Sequence, residues 1–284
     1  MQLSQLTWAP ARPPKTKEEV NCYLCGADAA AYLYHDYQGN RYVRCRQCGL
    51  VYQNPRTETE YEETFWEATV DPDGTVRHLL EEREDKIKNR YRGDIDYIHR
   101  LPPGRILDVG CGPGFFLSAI DPAWEKHGMD ISEFTINYVR EHYPDVRAYA
   151  GELSKASYAD DYFDVIYCFA VMEHVDNPHE ITQQMYRITR PGGIVIVSTP
   201  NIASFCARRF KGNYRLLSAP HIALWSPRTL SRLLAEHGLC PFKIRYPFFG
   251  TRYFNLKNIW RLLDTYKVSP PCYGNEMTIY ARKA

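Results

Sequence analysis

The sequence predicts an α/β protein: a mostly parallel sheet covered by helices on both faces, preceded by a small β-rich metal module. Three observations carry this. From residue 105 onward, short apolar runs alternate with amphipathic segments. The first run, "RILDVG", ends in a turn with glycines at 110, 112 and 114. Ahead of it stand two Cys-x-x-Cys-Gly knuckles, "CYLCG" at 22–26 and "CRQCG" at 45–49.

The 284 residues suit one core of about 180 to 200 residues plus an appendage. Residues 1–20 are Pro- and Lys-containing and aperiodic, and read as a loose arm. Residues 21–55 hold both knuckles and the strand-like "AAAYLYHDY" and "RYVRC". Residues 56–103 read as a linking helix and loop followed by amphipathic helices. Residues 104–284 form the main domain, with an insert at about 201–222. There, "RILDVG", "EKHGMDI", "VRAYAG", "FDVIYCFAV", "IVIVSTP", "PFKIRYPFF" and "EMTIYARK" read as strands. "GFFLSAI", "SEFTINYVREHYP" (N-cap Ser132), "HEITQQMYRIT" and "SPRTLSRLLAEHG" read as helices.

Hydrophobic content of 44% and charged content of 24% are those of a soluble globular chain. No apolar run approaches the roughly 18 residues of a membrane span, and the N-terminus shows no apolar signal core. The expected location is cytoplasmic. Four cysteines lie in the knuckles; Cys111, Cys168, Cys206, Cys240 and Cys272 are scattered and read as small hydrophobes of a reducing compartment. The net charge of +1 hides an asymmetry: residues 181–235 carry eight Arg and Lys and no Asp or Glu.

In "LDVGCGPGFF", Asp108 ends a strand and Gly110, Gly112 and Gly114 follow. Glycines let backbone approach a ligand. A dinucleotide fingerprint needs G-x-G-x-x-G, and here the third glycine comes one residue early. Asp108 would repel a pyrophosphate, which argues for a ligand with a cationic or zwitterionic group. Asp130, at the next strand end, is placed to accept ribose hydroxyls. Glu152 and Leu153 follow the third strand, where an adenine edge would be read.

"LDVGCGPG", Asp130, "GEL", "YFDVIYCFAVMEHV" and "RITRPGGIVIVSTPN" together resemble the class I S-adenosylmethionine-dependent methyltransferases. The resemblance implies a seven-stranded Rossmann-like sheet of order 3-2-1-4-5-7-6 with the last strand antiparallel. It implies that Asp108, Gly110, Cys111, Gly112, Gly114, Asp130, Ile131, Glu152, Leu153 and Phe169 bind S-adenosylmethionine. The family usually has Asp where Glu152 stands.

Cys22, Cys25, Cys45 and Cys48 fit a tetrahedral zinc site. Four sulfurs leave no open position, so the implied Zn2+ is structural. "RCRQCGLVYQNPR" resembles a methyltransferase subgroup with an N-terminal zinc knuckle. Such a module either folds over the catalytic domain or stands apart, and spacing does not decide.

Methyl transfer to oxygen needs a group to take the proton. His174, beside Glu173 in "MEHV", and His221, in "SAPHIALW", are the candidates. A quinone branch of the family has Glu-x-x-Glu-His; here the first position is Ala170, which weakens that reading. Arg208, Arg209, Lys211, Tyr214 and Arg215 lie in the insert and suit an anionic, ring-bearing acceptor such as a nucleotide-linked sugar or glycan precursor. A second reading is RNA methylation, with the basic stretch as a phosphate footprint. A third is a non-catalytic cofactor-binding protein. Oligomeric state is not legible.

Overall fold

The computed structural model describes residues 17–57, 63–71, 74, 76–218, 220–247 and 260–284. The cysteine module contributes β1 (Ala30–His35), β2 (Arg41–Cys45) and β3 (Val51–Gln53), paired antiparallel in that order. Helical turns follow from Leu79, pass through a π-helical stretch at Lys86–Tyr91, and end in α1 (Arg92–Ile98).

The main sheet begins at β4 (Arg105–Val109), whose last four residues are buried because helices or loops cover both faces. β5 (Glu125–Asp130), α2 (Glu133–His142), β6 (Val146–Ala150) and β7 (Phe163–Phe169) follow. The Ser132 hydroxyl accepts from the Thr135 N–H and caps α2, as its position predicts. Then come α3 (Pro178–Ile188), β8 (Thr189–Pro200), α4 (Phe205–Phe210), the two-residue β9 (Ala223–Leu224), α5 (Pro227–Glu236), β10 (Leu239–Arg245) and β11 (Glu276–Lys283).

The strand order is β6-β5-β4-β7-β8-β11-β10. Counted along the main domain this is 3-2-1-4-5-7-6, as expected. β11 runs antiparallel to both neighbours. Such a sheet gathers the C-terminal ends of β4 to β8 along one edge, where open α/β sheets bind ligands.

Three expectations need correction. "GFFLSAI" forms turns and one 3-10 turn at Leu117–Ala119, not a helix. Gly112 and Gly114 stand at positive φ where the helix would begin, and Pro122 ends the segment. Within 56–76, the described residues form a 3-10 turn (Glu63–Trp66) and short strands rather than a linking helix. Cys206 and Cys272 are joined in a disulfide, and Cys240 is exposed. A pairing 66 residues apart leaves no spacing signal.

The module has no core of its own. Leu24, Val43, Leu50 and Tyr52 belong to one buried cluster with Met172, Val197, Trp225, Leu230 and Met277. Its sheet is completed by the main domain: β9 pairs antiparallel with β3, Ala223 opposite Tyr52 and Leu224 opposite Val51.

Candidate functional site

The glycine turn lies between the ends of β4 and β5. Gly110, Gly112 and Gly114 have φ of +75°, +50° and +75°, a region side chains disfavour. The Gly110 and Cys111 N–H groups donate to the Met129 carbonyl, and the Gly112 N–H donates to Asp130 Oδ2 at 2.9 Å. Asp130 Oδ1 accepts from the Ser132 N–H at 2.9 Å. The turn is thus held by hydrogen bonds to the end of β5.

Asp108 is 3% exposed and its Oδ1 has no hydrogen-bond partner among the described residues. Burial, and then the neighbouring Asp130, hold its carboxyl well above the usual carboxylate range. Burial also raises Asp130, opposed by the N–H groups of Ser132 and Gly112. Two buried acidic groups, one with an orphaned oxygen, form a place that favours a cation.

This crevice is roofed. A β-carbon at Gly112 would lie 2.6 Å from the Trp66 ring, and one at Gly110 would collide with Val171. Lys86 Nζ sits 4.9 Å from the Trp66 ring centre. Arg90 lies over the Phe169 ring and pairs with Glu276. Cys111 and Leu153 are buried, whereas Ile131 is 64% exposed and Glu152 pairs with Lys155 at 2.9 Å.

At the end of β7 the chain turns through Ala170, at φ +55°, into Glu173 and His174. Glu173 is buried, and its Oε2 accepts from the Thr199 hydroxyl at 2.9 Å. Ile222 and Ala223 donate their N–H groups to the Glu173 carbonyl, which brings His221 alongside. The His174 and His221 ring centres are 4.7 Å apart, edge to face. Ligand atoms of Glu173, His174 and His221 all lie within 4.8 Å of one another.

Each histidine uses Nδ1 on a carbonyl: His174 on Pro220 at 2.9 Å, His221 on Leu216 at 2.7 Å. A carbonyl only accepts, so each Nδ1 carries the proton and each Nε2 keeps its lone pair. Burial, and then His174, push His221 down to about 4, against the opposing pull of Glu173. Burial takes His174 to about 4 as well. His174 keeps an exposed edge, so solvent moderates its shift more than that of half-buried His221.

The four cysteines converge as their spacing predicts. Cys22 and Cys48 sulfurs are 3.4 Å apart, Cys25 and Cys45 sulfurs 3.5 Å, and all four lie within 4.8 Å. A tetrahedral zinc with sulfurs at about 2.3 Å separates them by about 3.8 Å, so the set fits that ion. Gly26 and Gly49, at φ +69° and +83°, return their N–H groups to the carbonyls of Cys22 and Cys45.

The profile of the family described as "Methyltransferase domain" matches residues 79–241, more than half of the chain. This chain belongs to the methyltransferase-domain family. A Mycolicibacterium smegmatis protein named "Probable S-adenosylmethionine-dependent methyltransferase" is 36% identical over 112 residues, 39% of this chain and 44% of that one. The ubiquinone biosynthesis O-methyltransferase of Thiobacillus denitrificans is 30% identical over 184 residues, 59% of this chain and 76% of that one. The match spans about half the length of the first such relatives. A SAM-dependent methyltransferase of Archaeoglobus fulgidus shares the fold, with a TM-score of 0.53 at 23% identity over 72% of this chain and 98% of that one. So does one from Aquifex aeolicus, with a TM-score of 0.54 at 14% identity over 79% and 100%.

The residues expected to hold the acceptor divide. Arg208, Arg209 and Lys211 are exposed. Tyr214 is fully buried and its hydroxyl donates to the Asn275 carbonyl at 2.9 Å, so its role is corrected to packing. Arg215 is drawn to Asp71, at 3.3 Å, which removes it from a free basic patch. Trp66, Lys86 and Arg90 had no motif to announce them; the fold carries Trp66, with Lys86 over its ring, to the glycine turn, and Arg90 to Phe169. No described helix is long and apolar enough to cross a membrane.

Proposed function

We propose that this methyltransferase acts on a hydroxyl of a small anionic acceptor, a nucleotide-linked sugar or glycan precursor. The observation that carries the reading is the meeting of His174 and His221, their ring centres 4.7 Å apart, beside buried Glu173. Bound S-adenosylmethionine supplies an activated methyl group. Asp108 would face its positive charge, Gly110 to Gly114 would line its path, and Asp130 would take ribose hydroxyls. Ile131, Glu152, Leu153 and Phe169 would flank the base.

His221 Nε2 would accept the acceptor's hydroxyl proton, with His174 beside it and Glu173 favouring the imidazolium that results. His221 is the stronger candidate because it is the less exposed of the two and Glu173 attracts its charged form. The O-methyltransferase names among its relatives support oxygen as the receiving atom. Exposed Arg208, Arg209 and Lys211 support an anionic acceptor. A structural Zn2+ on Cys22, Cys25, Cys45 and Cys48 would complete the protein.

The test is label transfer from methyl-tritiated S-adenosylmethionine to three pools: nucleotide sugars, total RNA and a reduced quinone. Label in the sugar pool supports the reading. Label confined to RNA, with a steep fall as salt rises, favours the nucleic-acid alternative. Label confined to quinol overturns the anionic acceptor but keeps the O-methyl chemistry.

A further inference from the structure

β2 has the cysteine cluster at one end and the histidine segment at the other. Cys45 closes the strand, and Tyr42, three residues back, presents a fully buried ring. The two are about 10 Å apart at roughly 3.3 Å per residue. The Tyr42 hydroxyl lies 3.1 Å from the Ser218 carbonyl and 3.0 Å from the His221 carbonyl. Those carbonyls bracket a turn in which the His221 N–H donates to the Ser218 carbonyl at 2.9 Å. One residue on, the Ile222 carbonyl accepts from the Gln53 N–H at 2.8 Å, and β9 then pairs with β3.

The segment that presents His221 is therefore clamped from both sides. The cysteine module holds its carbonyls through Tyr42 and Gln53, and Glu173 takes the Ile222 and Ala223 N–H groups. The imidazole hangs from this frame by one further bond, Nδ1–H to Leu216. A phenol has one proton to share between two carbonyls, so removing the hydroxyl leaves both without that donor.

We infer that Tyr42 is a positioning residue for His221, and that the cysteine module is a wall of the acceptor site rather than a detached docking appendage. This rests on the reading of His221 as proton acceptor and adds what fixes it. The ring of Tyr42 packs the core; its hydroxyl sets the turn, and the turn sets where Nε2 points.

The experiment is a nitrogen-15 NMR titration of His221 in the metal-loaded protein, comparing wild type with Tyr42→Phe. In the wild type the Nδ1 proton should be slow to exchange and the ring neutral down to about pH 5. In the variant the Nδ1 proton resonance should shift or broaden, and the proton should exchange faster. Metal content should not change. Arg44→Ala, an exposed change on the same strand, should leave the His221 signals in place. Unchanged His221 signals in Tyr42→Phe overturn the inference. If that variant does not fold, 3,5-difluorotyrosine at position 42 keeps ring and hydroxyl while altering donation. It must shift the same resonance, and no shift overturns the inference. Full turnover in His221→Ala would remove the base reading while leaving this linkage intact, so the two failures separate.

Discussion

The indole of Trp66 lies against the α-carbon face of Gly112, so close that a β-carbon there would meet it at 2.6 Å. Any ligand that approaches the glycine turn must displace that ring or pack on it. Trp66 fluorescence should therefore change when S-adenosylhomocysteine is added. The change should vanish in Trp66→Phe, which leaves the other four tryptophans in place. An identical response in that variant would show that the ligand enters elsewhere.

Asp108 explains a second expectation. Burial, and then Asp130, hold its carboxyl well above the usual carboxylate range. A cationic ligand favours the charged form, so binding should release a proton, and affinity should rise with pH until Asp108 ionises unaided. Calorimetry in two buffers of different ionisation enthalpy reads that proton directly. Asp108→Asn keeps the shape and loses the charge; it should weaken S-adenosylmethionine by about tenfold or more. Binding without proton release contradicts the assignment.

His221 makes a pH prediction whose sign follows from its depressed value. The folded protein protonates it near 4 and the unfolded chain near 6.5. The stability it contributes is thus full above 6.5 and is lost as pH falls towards 4, by up to ~3 kcal/mol. Urea unfolding of wild type and His221→Gln at pH 7 and pH 4.5 should show a smaller pH effect in the variant. The same value places the acidic limb of the rate profile well below 6.5. A limb at 6.5 would mean that an ordinary solvent-exposed imidazole is the base.

The cysteine module shares its core with the main sheet, so losing the metal should unfold more than the module. Cys45→Ser should lower the melting temperature and the soluble yield before it alters the kinetics of the protein that remains. Elemental analysis should find about one zinc per wild-type chain. An unchanged melting curve with no bound zinc would dismiss the metal.

The strands of the main sheet were legible because each is an apolar run closed by glycine, proline or a capped helix; their order followed from the resemblance to the methyltransferases. The meeting of the four cysteines was legible because the Cys-x-x-Cys-Gly spacing occurs twice. What lay hidden was pairing at long range. β9 is two residues long, and nothing in "HIALW" says it will extend the sheet of a module 170 residues earlier. Tyr42 looked like one more β-strand aromatic, and Cys206 and Cys272 carry no spacing signal. Tyr214 was misread for the same reason: an aromatic beside basic residues suggests a binding face, but local pattern cannot say which way the ring turns.

The most direct test of the account is calorimetric titration of S-adenosylmethionine into wild type and Asp130→Ala. Asp130 both accepts the Gly112 N–H and stands where ribose hydroxyls are expected. The account predicts one site per wild-type chain and no measurable binding in the variant, with the fold retained by circular dichroism. Equal affinity in the two proteins would contradict it.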